Sequence, residues 1–154
     1  DKNLAWGAVG ATSNPAIIAG IVDAGGLDGD IESLLEAGHD DEQIAWALTN
    51  KLVTDAQAKF ADIHKQTEGN AGWVSFELDP LLEDPEINLS IADRAIRYVE
   101  LGKQWNTDQT NRMIKVPATA GGIAALEELA ACGVTLNVTL IFTDDQYRKA
   151  REAI

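Results

Sequence analysis

Apolar and polar positions along the chain follow two different periods. Several segments repeat apolar residues every three to four positions, which is the spacing of one face of an α-helix. Between them lie short apolar runs bounded by turn residues, and such runs are typical of buried strands in a parallel sheet. The pattern predicts strands at 4–11, 73–78, 113–117 and 135–142 and helices at 16–22, 31–37, 41–67, 91–105, 121–132 and 145–154.

The order of these elements indicates an α/β protein. Strands that alternate with helices favour a parallel sheet whose crossover connections are right-handed. No internal repeat, low-complexity tract or linker interrupts the pattern, so we predict a single domain over residues 1–154.

The predicted strands carry their polar side chains on one side only. Residues two apart on a strand face the same side, which groups Ser75 with Glu77 and Asn137 with Thr139, and places Lys115 opposite its apolar neighbours. A sheet covered by helices on both faces would be apolar on both sides. Polar side chains on one side only, towards the carboxyl ends of the strands, instead fit the interior of a (β/α)₈ barrel, where the functional site lies at one open end. A complete barrel needs about 200 residues or more, so we predict a partial TIM barrel with about four parallel strands.

Lys115 stands in the otherwise apolar run Ile114–Pro117 of the third predicted strand. A buried lysine is costly unless it is paired or neutral. A neutral lysine in a dry pocket is a nucleophile for a carbonyl carbon and forms a Schiff base, and a nearby carboxylate can relay the protons that this reaction moves. The alternative is a structural ion pair with Glu77, and the residues alone leave both interpretations open.

Charge and composition argue against several classes of partner. The net charge of −13 disfavours nucleic acids and anionic membrane surfaces, although a local positive site for a phosphorylated small molecule is compatible with it. No apolar run reaches the roughly 18 residues of a membrane span. The single cysteine, Cys132, excludes an internal disulfide framework and favours a reducing compartment, so we expect a cytoplasmic protein. We expect no metal site.

Four motifs together resemble the transaldolase family in order and spacing, and they extend over nearly the whole chain. They are Gly10–Ala16 (GATSNPA), Val74–Pro80 (VSFELDP), Ile114–Thr119 (IKVPAT) and Asn137–Phe142 (NVTLIF). The resemblance implies a class I aldolase-type (β/α)₈ barrel of the pentose phosphate pathway. It implies transfer of a dihydroxyacetone unit from sedoheptulose 7-phosphate to glyceraldehyde 3-phosphate, without a metal or an organic cofactor.

The resemblance also implies a role for each matching polar residue. Lys115 would be the Schiff-base lysine, and Glu77 the acid/base that acts through a water. Thr139 resembles the threonine that helps to hold this water. Asn14 and Asn137 resemble the asparagines that bind hydroxyl groups of the substrate.

Two parts of the family pattern have no counterpart in this sequence. The family carries an aspartate on a strand upstream of the Thr12–Pro15 motif, and Asp1 is too close to that motif to match it. The arginines that bind the substrate phosphate lie on strands that follow the last predicted helix. The chain therefore resembles strands two to five of the eight. We do not expect these 154 residues alone to catalyse the reaction.

Two alternatives remain. A related branch of aldolases cleaves fructose 6-phosphate directly, but it usually lacks the glutamate of Val74–Pro80 and the Asn-x-Thr of the fourth strand. Because both are present here, this alternative ranks lower. The other alternative is an inactive half-barrel that pairs its open strand edges in a homodimer.

Overall fold

The structure, a computed structural model, describes residues 2–154, which form an α/β fold. Short 3₁₀ turns occupy Pro80–Glu83 and Pro85–Ile87. No helix within residues 2–154 has the length and apolarity needed to cross a membrane. The helices are α1 (Lys2–Ala5), α2 (Pro15–Asp23), α3 (Asp28–Glu36), α4 (Asp41–Gln66), α5 (Ile91–Asn106), α6 (Ala120–Ala131) and α7 (Asp144–Glu152), and the strands are β1 (Ala11–Thr12), β2 (Val74–Glu77), β3 (Arg112–Pro117) and β4 (Leu136–Thr139).

The strands form one parallel sheet in the order β1-β2-β3-β4. In the pairing of β3 with β4, Lys115 lies beside Asn137 and Pro117 beside Thr139. Each strand is followed in the sequence by at least one helix, and neighbours in the sequence are neighbours in the sheet. These features confirm the predicted α/β partial barrel.

The described residues form two compact units, of which the first ends at Val74 and the second comprises Ser75–Ile154. In the first unit, a core of Leu27, Ile44 and Leu48 is surrounded by half-buried aliphatic side chains of α2, α3 and α4. The prediction of a single domain over the whole chain stays a prediction.

The second unit has a deeper core. Ile114 and Val116 of β3 are fully buried, and so are Leu126 and Leu129 of α6. A Cβ at Gly122 would overlap the carbonyl oxygen of Pro117, so α6 begins in direct contact with the end of β3. This close approach fixes the loop that follows the lysine-bearing strand.

The predicted strand at 4–11 is wrong, because most of this segment is helix and turn. Residues Lys2–Ala5 form α1, and the helix ends where Gly7 adopts a φ of +89° and donates its N–H to the carbonyl of Leu4. Leucine and alanine favour this local helix, and glycine ends it. Extended backbone begins only at Ala11, whose N–H donates to the carbonyl of Trp73.

Strand β4 is shorter than predicted and ends at Thr139. The next residue, Leu140, has a φ of +60°, which turns the backbone out of the extended conformation. Beyond it, the N–H groups of Phe142 and Thr143 donate to Oε1 of Gln146 rather than to a strand. The apolar run of 140–142 concealed this turn, since nothing in its pattern requires a left-handed residue.

Candidate active site

Lys115 and Glu77 face each other from neighbouring strands of the second unit. The Lys115 Nζ lies 3.1 Å from Oε2 of Glu77, and the two side chains are only 12% and 16% exposed. The strands are joined beside this pair, because the N–H of Leu78 donates to the carbonyl of Lys115 at 3.1 Å. The structure therefore brings the predicted lysine and the predicted carboxylate together in a mostly buried ion pair.

This contact explains how a lysine is tolerated within an apolar strand. Attraction between the two charges offsets part of the cost of taking each of them out of water. The carboxylate also lies within hydrogen-bonding distance of the amine, where it can accept a proton and return it. Both interpretations of Lys115, structural and catalytic, require this contact, so it does not by itself separate them.

Asn137 lies beside Lys115 in the register of β3 and β4. Its Nδ2 donates to Oγ of Ser75 at 2.8 Å, although Ser75 belongs to β2 and the two strands are separated by β3. Side chains of alternate strands that meet in one layer are characteristic of a barrel interior. The polar face of the second unit is therefore concave at the level of Lys115.

Ser75 is a residue of this layer that the sequence patterns did not assign to the site. It is 3% exposed and accepts the hydrogen bond of Asn137. Its position two residues before Glu77 places it on the same side of β2. The alternation of the strand therefore indicated the side of β2 on which Ser75 lies. It did not reveal that the hydrogen-bond partner of Ser75 would be Asn137 of β4.

Thr139 ends β4 on the same side of the sheet as Asn137. It pairs in register with Pro117, and its carbonyl accepts the N–H of Ala118 at 2.7 Å. Thr139 is therefore anchored to the segment that follows Lys115. Its role in holding a water stays a prediction.

Asn14 belongs to the first unit, where it caps α2. Its Oδ1 accepts the N–H of Ile17 at 2.7 Å, and its backbone is extended, as usual for a residue in this position. The cap uses the side-chain carbonyl, whereas the side-chain NH₂ group can donate to the oxygen of a substrate hydroxyl. Substrate binding by Asn14 stays a prediction.

An aromatic and cationic cluster supports β2 on the side opposite its polar face. The ring of Phe76 stacks on Trp105 with 4.8 Å between ring centroids, and the guanidinium carbon of Arg112 lies 4.9 Å from the centroid of Phe76. Nη1 of Arg112 donates to the carbonyl of Trp105 at 2.9 Å. Burial lowers the pKa of Arg112 to about 10. Since Phe76 stands between Ser75 and Glu77, this cluster fixes the strand that presents both.

The loops after β3 and β4 are joined by Gln146 of α7. Its Nε2 donates to the carbonyl of Ala118 at 2.8 Å, while its Oε1 accepts the N–H groups of Phe142 and Thr143. One side chain thus holds the ends of the strands that carry Lys115 and Thr139.

Comparison with known proteins decides the family. The sequence model of the transaldolase/fructose-6-phosphate aldolase family matches residues 3–154. The chain belongs to this family. The resemblance carried by the four motifs is thereby confirmed at the level of the transaldolase/fructose-6-phosphate aldolase family, whose name covers two activities.

Individual members of the transaldolase/fructose-6-phosphate aldolase family are similar over most of this chain. A transaldolase of Thermobifida fusca is 35% identical over 147 residues, which are 94% of this chain and 38% of the relative. Transaldolase 2 of Streptomyces coelicolor is 34% identical over 148 residues, or 94% of this chain and 37% of the relative. A transaldolase of Trichodesmium erythraeum is 33% identical over 140 residues, or 90% and 35%. The chain thus spans less than two fifths of the length of these relatives.

Proposed function

We propose that this chain carries the Schiff-base centre of a transaldolase, with Lys115 as the nucleophile. The reaction would transfer a dihydroxyacetone unit from sedoheptulose 7-phosphate to glyceraldehyde 3-phosphate, in the cytoplasm and without a cofactor. The observation that carries the proposal is the buried contact of Lys115 with Glu77, in a chain of the transaldolase/fructose-6-phosphate aldolase family.

Imine formation would use both members of this pair. Glu77 accepts a proton from the Lys115 ammonium, and the neutral amine attacks the ketose carbonyl carbon. The attacking nitrogen then gives up a second proton to the former carbonyl oxygen, which produces the carbinolamine. The same carboxylate then returns a proton to the hydroxyl of the carbinolamine, which leaves as water. Thr139 would hold the water through which Glu77 acts.

The protonated imine then withdraws electrons from the neighbouring carbon–carbon bond. When this bond breaks, the aldose phosphate leaves and a three-carbon enamine stays on Lys115, ready to attack the acceptor aldehyde. Asn137 and Asn14 would hold hydroxyl groups of the sugar through their amides. By the family resemblance, the base that takes the proton of the sugar hydroxyl is an aspartate on a strand that precedes the Thr12–Pro15 motif.

Borohydride trapping tests this proposal. The protein, expressed from its complete coding sequence, is incubated with fructose 6-phosphate and borohydride, and its peptides are analysed by mass spectrometry. Hydride adds to the imine carbon, so we expect a stable sugar mass on Lys115. Lys115→Met should abolish it. Lys103→Met is the matched control, because Lys103 forms an exposed ion pair with Glu128 and should not affect trapping. An unlabelled Lys115 in the wild type would refute the proposal.

Glu77→Gln tests the proton relay. Glutamine keeps the size of the side chain but cannot relay a proton, so the trapping rate should fall by about 10²–10⁴-fold. Circular dichroism should verify that the variant is folded, because removal of one partner leaves the other charge buried. A folded variant that traps sugar at the wild-type rate would remove Glu77 from the mechanism.

Fructose-6-phosphate aldolase activity is the second candidate, since the family description names it. Glu77 and the Asn137–Thr139 pair favour the transferase. The two activities differ when fructose 6-phosphate is the only sugar supplied. An aldolase releases free dihydroxyacetone, whereas a transaldolase retains the three-carbon unit until an acceptor aldehyde is added.

The third candidate is the inactive half-barrel that forms a homodimer. Sedimentation of the 154-residue chain tests it directly. A well-behaved monomer would contradict the homodimer. A dimer would favour it over both enzymes only if the protein expressed from its complete coding sequence also traps no sugar.

A further inference from the structure

The loops that follow β2 and β3 are joined at Glu83. This residue ends the 3₁₀ turn Pro80–Glu83, which lies shortly after the strand that carries Glu77. Oε1 of Glu83 accepts the hydroxyl of Thr119 at 2.6 Å and the hydroxyl of Tyr98 at 3.0 Å. Oε2 lies 3.3 Å from Nη1 of Arg94. One carboxylate therefore receives two hydroxyl donors and one cation.

Thr119 connects this carboxylate to the lysine-bearing strand. It lies two residues after Pro117, the last residue of β3, and caps α6 by accepting the N–H of Gly122 at 3.0 Å. The same hydroxyl donates its hydrogen to Glu83. The Thr119 hydroxyl thus accepts one hydrogen bond within α6 and donates another to the loop after β2.

Three contacts link the β2 segment to the β3 segment, and the proposed reactive pair is one of them. The ion pair of Glu77 with Lys115 joins the strands at one end, and the bond of Glu83 with Thr119 joins their loops at the other. Between them, the N–H of Leu78 donates to the carbonyl of Lys115. Displacement of one loop would therefore be transmitted to the contact between carboxylate and amine.

The surroundings of Glu83 favour a fixed geometry. Its side chain is 24% exposed, that of Arg94 is 20% exposed, and Tyr98 is fully buried. Burial and the Glu83 carboxylate raise the pKa of Tyr98, which keeps the phenol protonated as a donor. Hydrogen bonds to an ionised acceptor are shorter and stronger than those between neutral groups, so these three partners hold the Glu83 carboxylate in a defined position.

We infer that Glu83 is a positioning residue, which holds the loops after β2 and β3 so that the Glu77 carboxylate stays against the Lys115 amine. Glu83 acts through Thr119 and need not touch the substrate. The inference rests on the proposed function of Lys115, and it adds to that function the device that aligns the pair.

Glu83→Gln is the decisive variant, because it keeps the size of the side chain and removes its charge. We expect borohydride trapping of sugar on Lys115 to slow about 10-fold, since small displacements of reacting groups reduce rates strongly. Trace labelling with acetic anhydride supplies a second readout that needs no sugar. Labelling of Lys115 relative to exposed Lys51 should rise several-fold, because the amine would be held less closely by Glu77.

Three further variants separate positioning from a general effect on folding. Glu86→Gln removes an exposed acid of the neighbouring 3₁₀ turn and should leave both readouts unchanged. Thr119→Ser keeps the hydroxyl and should resemble the wild type. Thr119→Val removes the hydroxyl and should resemble Glu83→Gln. All are compared at a temperature at which circular dichroism shows them folded.

The outcomes distinguish this inference from the proposed function. A folded Glu83→Gln protein with the wild-type trapping rate and labelling ratio would overturn the inference and leave the proposed function intact. If the wild type traps no sugar, the proposed function fails, and the labelling ratio still decides whether Glu83 positions Lys115. Equal increases in the labelling of all lysines would indicate general loosening and would also overturn the inference.

Discussion

Helices α2 and α6 are alike in sequence and different in burial. Both are rich in aliphatic residues, follow a strand and begin at a side-chain cap, Asn14 in one and Thr119 in the other. No residue of α2 is fully buried, and Ile17 and Ile21 are 48% and 40% exposed. In α6, which packs against α5 and β3, Leu126 and Leu129 are completely buried. Apolar composition therefore predicts the helix, but neighbouring elements determine its burial.

This difference matters for the proposed site. Lys115, Glu77, Asn137 and Thr139 belong to the second unit, whose helices and strands form a well-packed core. Asn14 belongs to the first unit, at the start of the shallowly packed α2. Side chains on rigid elements keep a defined geometry, so we expect substitutions in the second unit to have larger effects than matched substitutions in the first.

The largest contrast should come from truncation of one aliphatic side chain in each helix. Leu129→Ala leaves a cavity in a fully buried position and should lower the free energy of unfolding by about 2–5 kcal/mol. Ile21→Ala removes a side chain that is 40% exposed and should cost about 1 kcal/mol or less. Urea unfolding measures both. Equal decreases in the free energy of unfolding would contradict the difference in burial, because they would mean that α2 is packed as deeply as α6.

The sequence was sufficient for the features that periodicity and motifs encode. Helical spacing located the long helix α4, and the alternation in β2 and β3 placed Glu77 and Lys115 on one side of the sheet. It was insufficient where a single backbone angle decides at which residue a helix or strand ends. The φ of +89° at Gly7 and of +60° at Leu140 ended elements that the apolar pattern continued.

The contacts between distant residues were equally hidden from the sequence. The bond of Asn137 with Ser75 and the bond of Thr119 with Glu83 each join segments that are far apart along the chain. No local pattern specifies such partners, because they depend on how neighbouring strands and loops are placed. Shared sidedness could suggest the first of these bonds, but nothing in the motifs pointed to the second.

Gly20 of α2 and Gly122 of α6 differ in the space that an added methyl group would find. At Gly122 in α6, an added Cβ would overlap the carbonyl oxygen of Pro117, so Gly122→Ala should lower the free energy of unfolding by about 1–3 kcal/mol. At Gly20 in α2, an added Cβ meets no atom within 4 Å. Gly20→Ala should therefore stabilise the protein by about 0.4–1 kcal/mol, since alanine favours helix. Thermal unfolding measures both, and a stabilising Gly122→Ala would show that α6 can shift away from β3.

Tyr98 provides a pH-dependent test of the second unit. Burial and then the Glu83 carboxylate raise the pKa of Tyr98 above its ordinary value of 10.0. Above pH 10 the unfolded chain loses this proton and the folded chain keeps it, so the stability from this group is present below pH 10 and is lost as the pH rises. The loss is at most about 1.4 kcal/mol per pH unit.

The measurement compares slopes rather than absolute stabilities. Urea unfolding between pH 9 and pH 11 should give a shallower decrease for Tyr98→Phe than for the wild type. Tyr147, the other tyrosine of the chain, supplies the background: in a Tyr147→Phe protein, absorbance of the phenolate reports Tyr98 alone. Ionisation of Tyr98 in the folded protein near pH 10 would contradict its burial.

The smallest effect concerns the cap of α2 and separates folding from binding. Asn14→Ala removes the acceptor of the Ile17 N–H and should cost about 1 kcal/mol. Asn14→Asp keeps an acceptor and adds a negative charge at a helix N-terminus, so stability should be retained. It removes the amide NH₂ group, and in the proposed function this loss should slow sugar trapping. If Asn14→Asp is stable and traps sugar normally, Asn14 is a cap and nothing more. The substrate contacts of the site would then have to come from elsewhere, Asn137 first among the candidates.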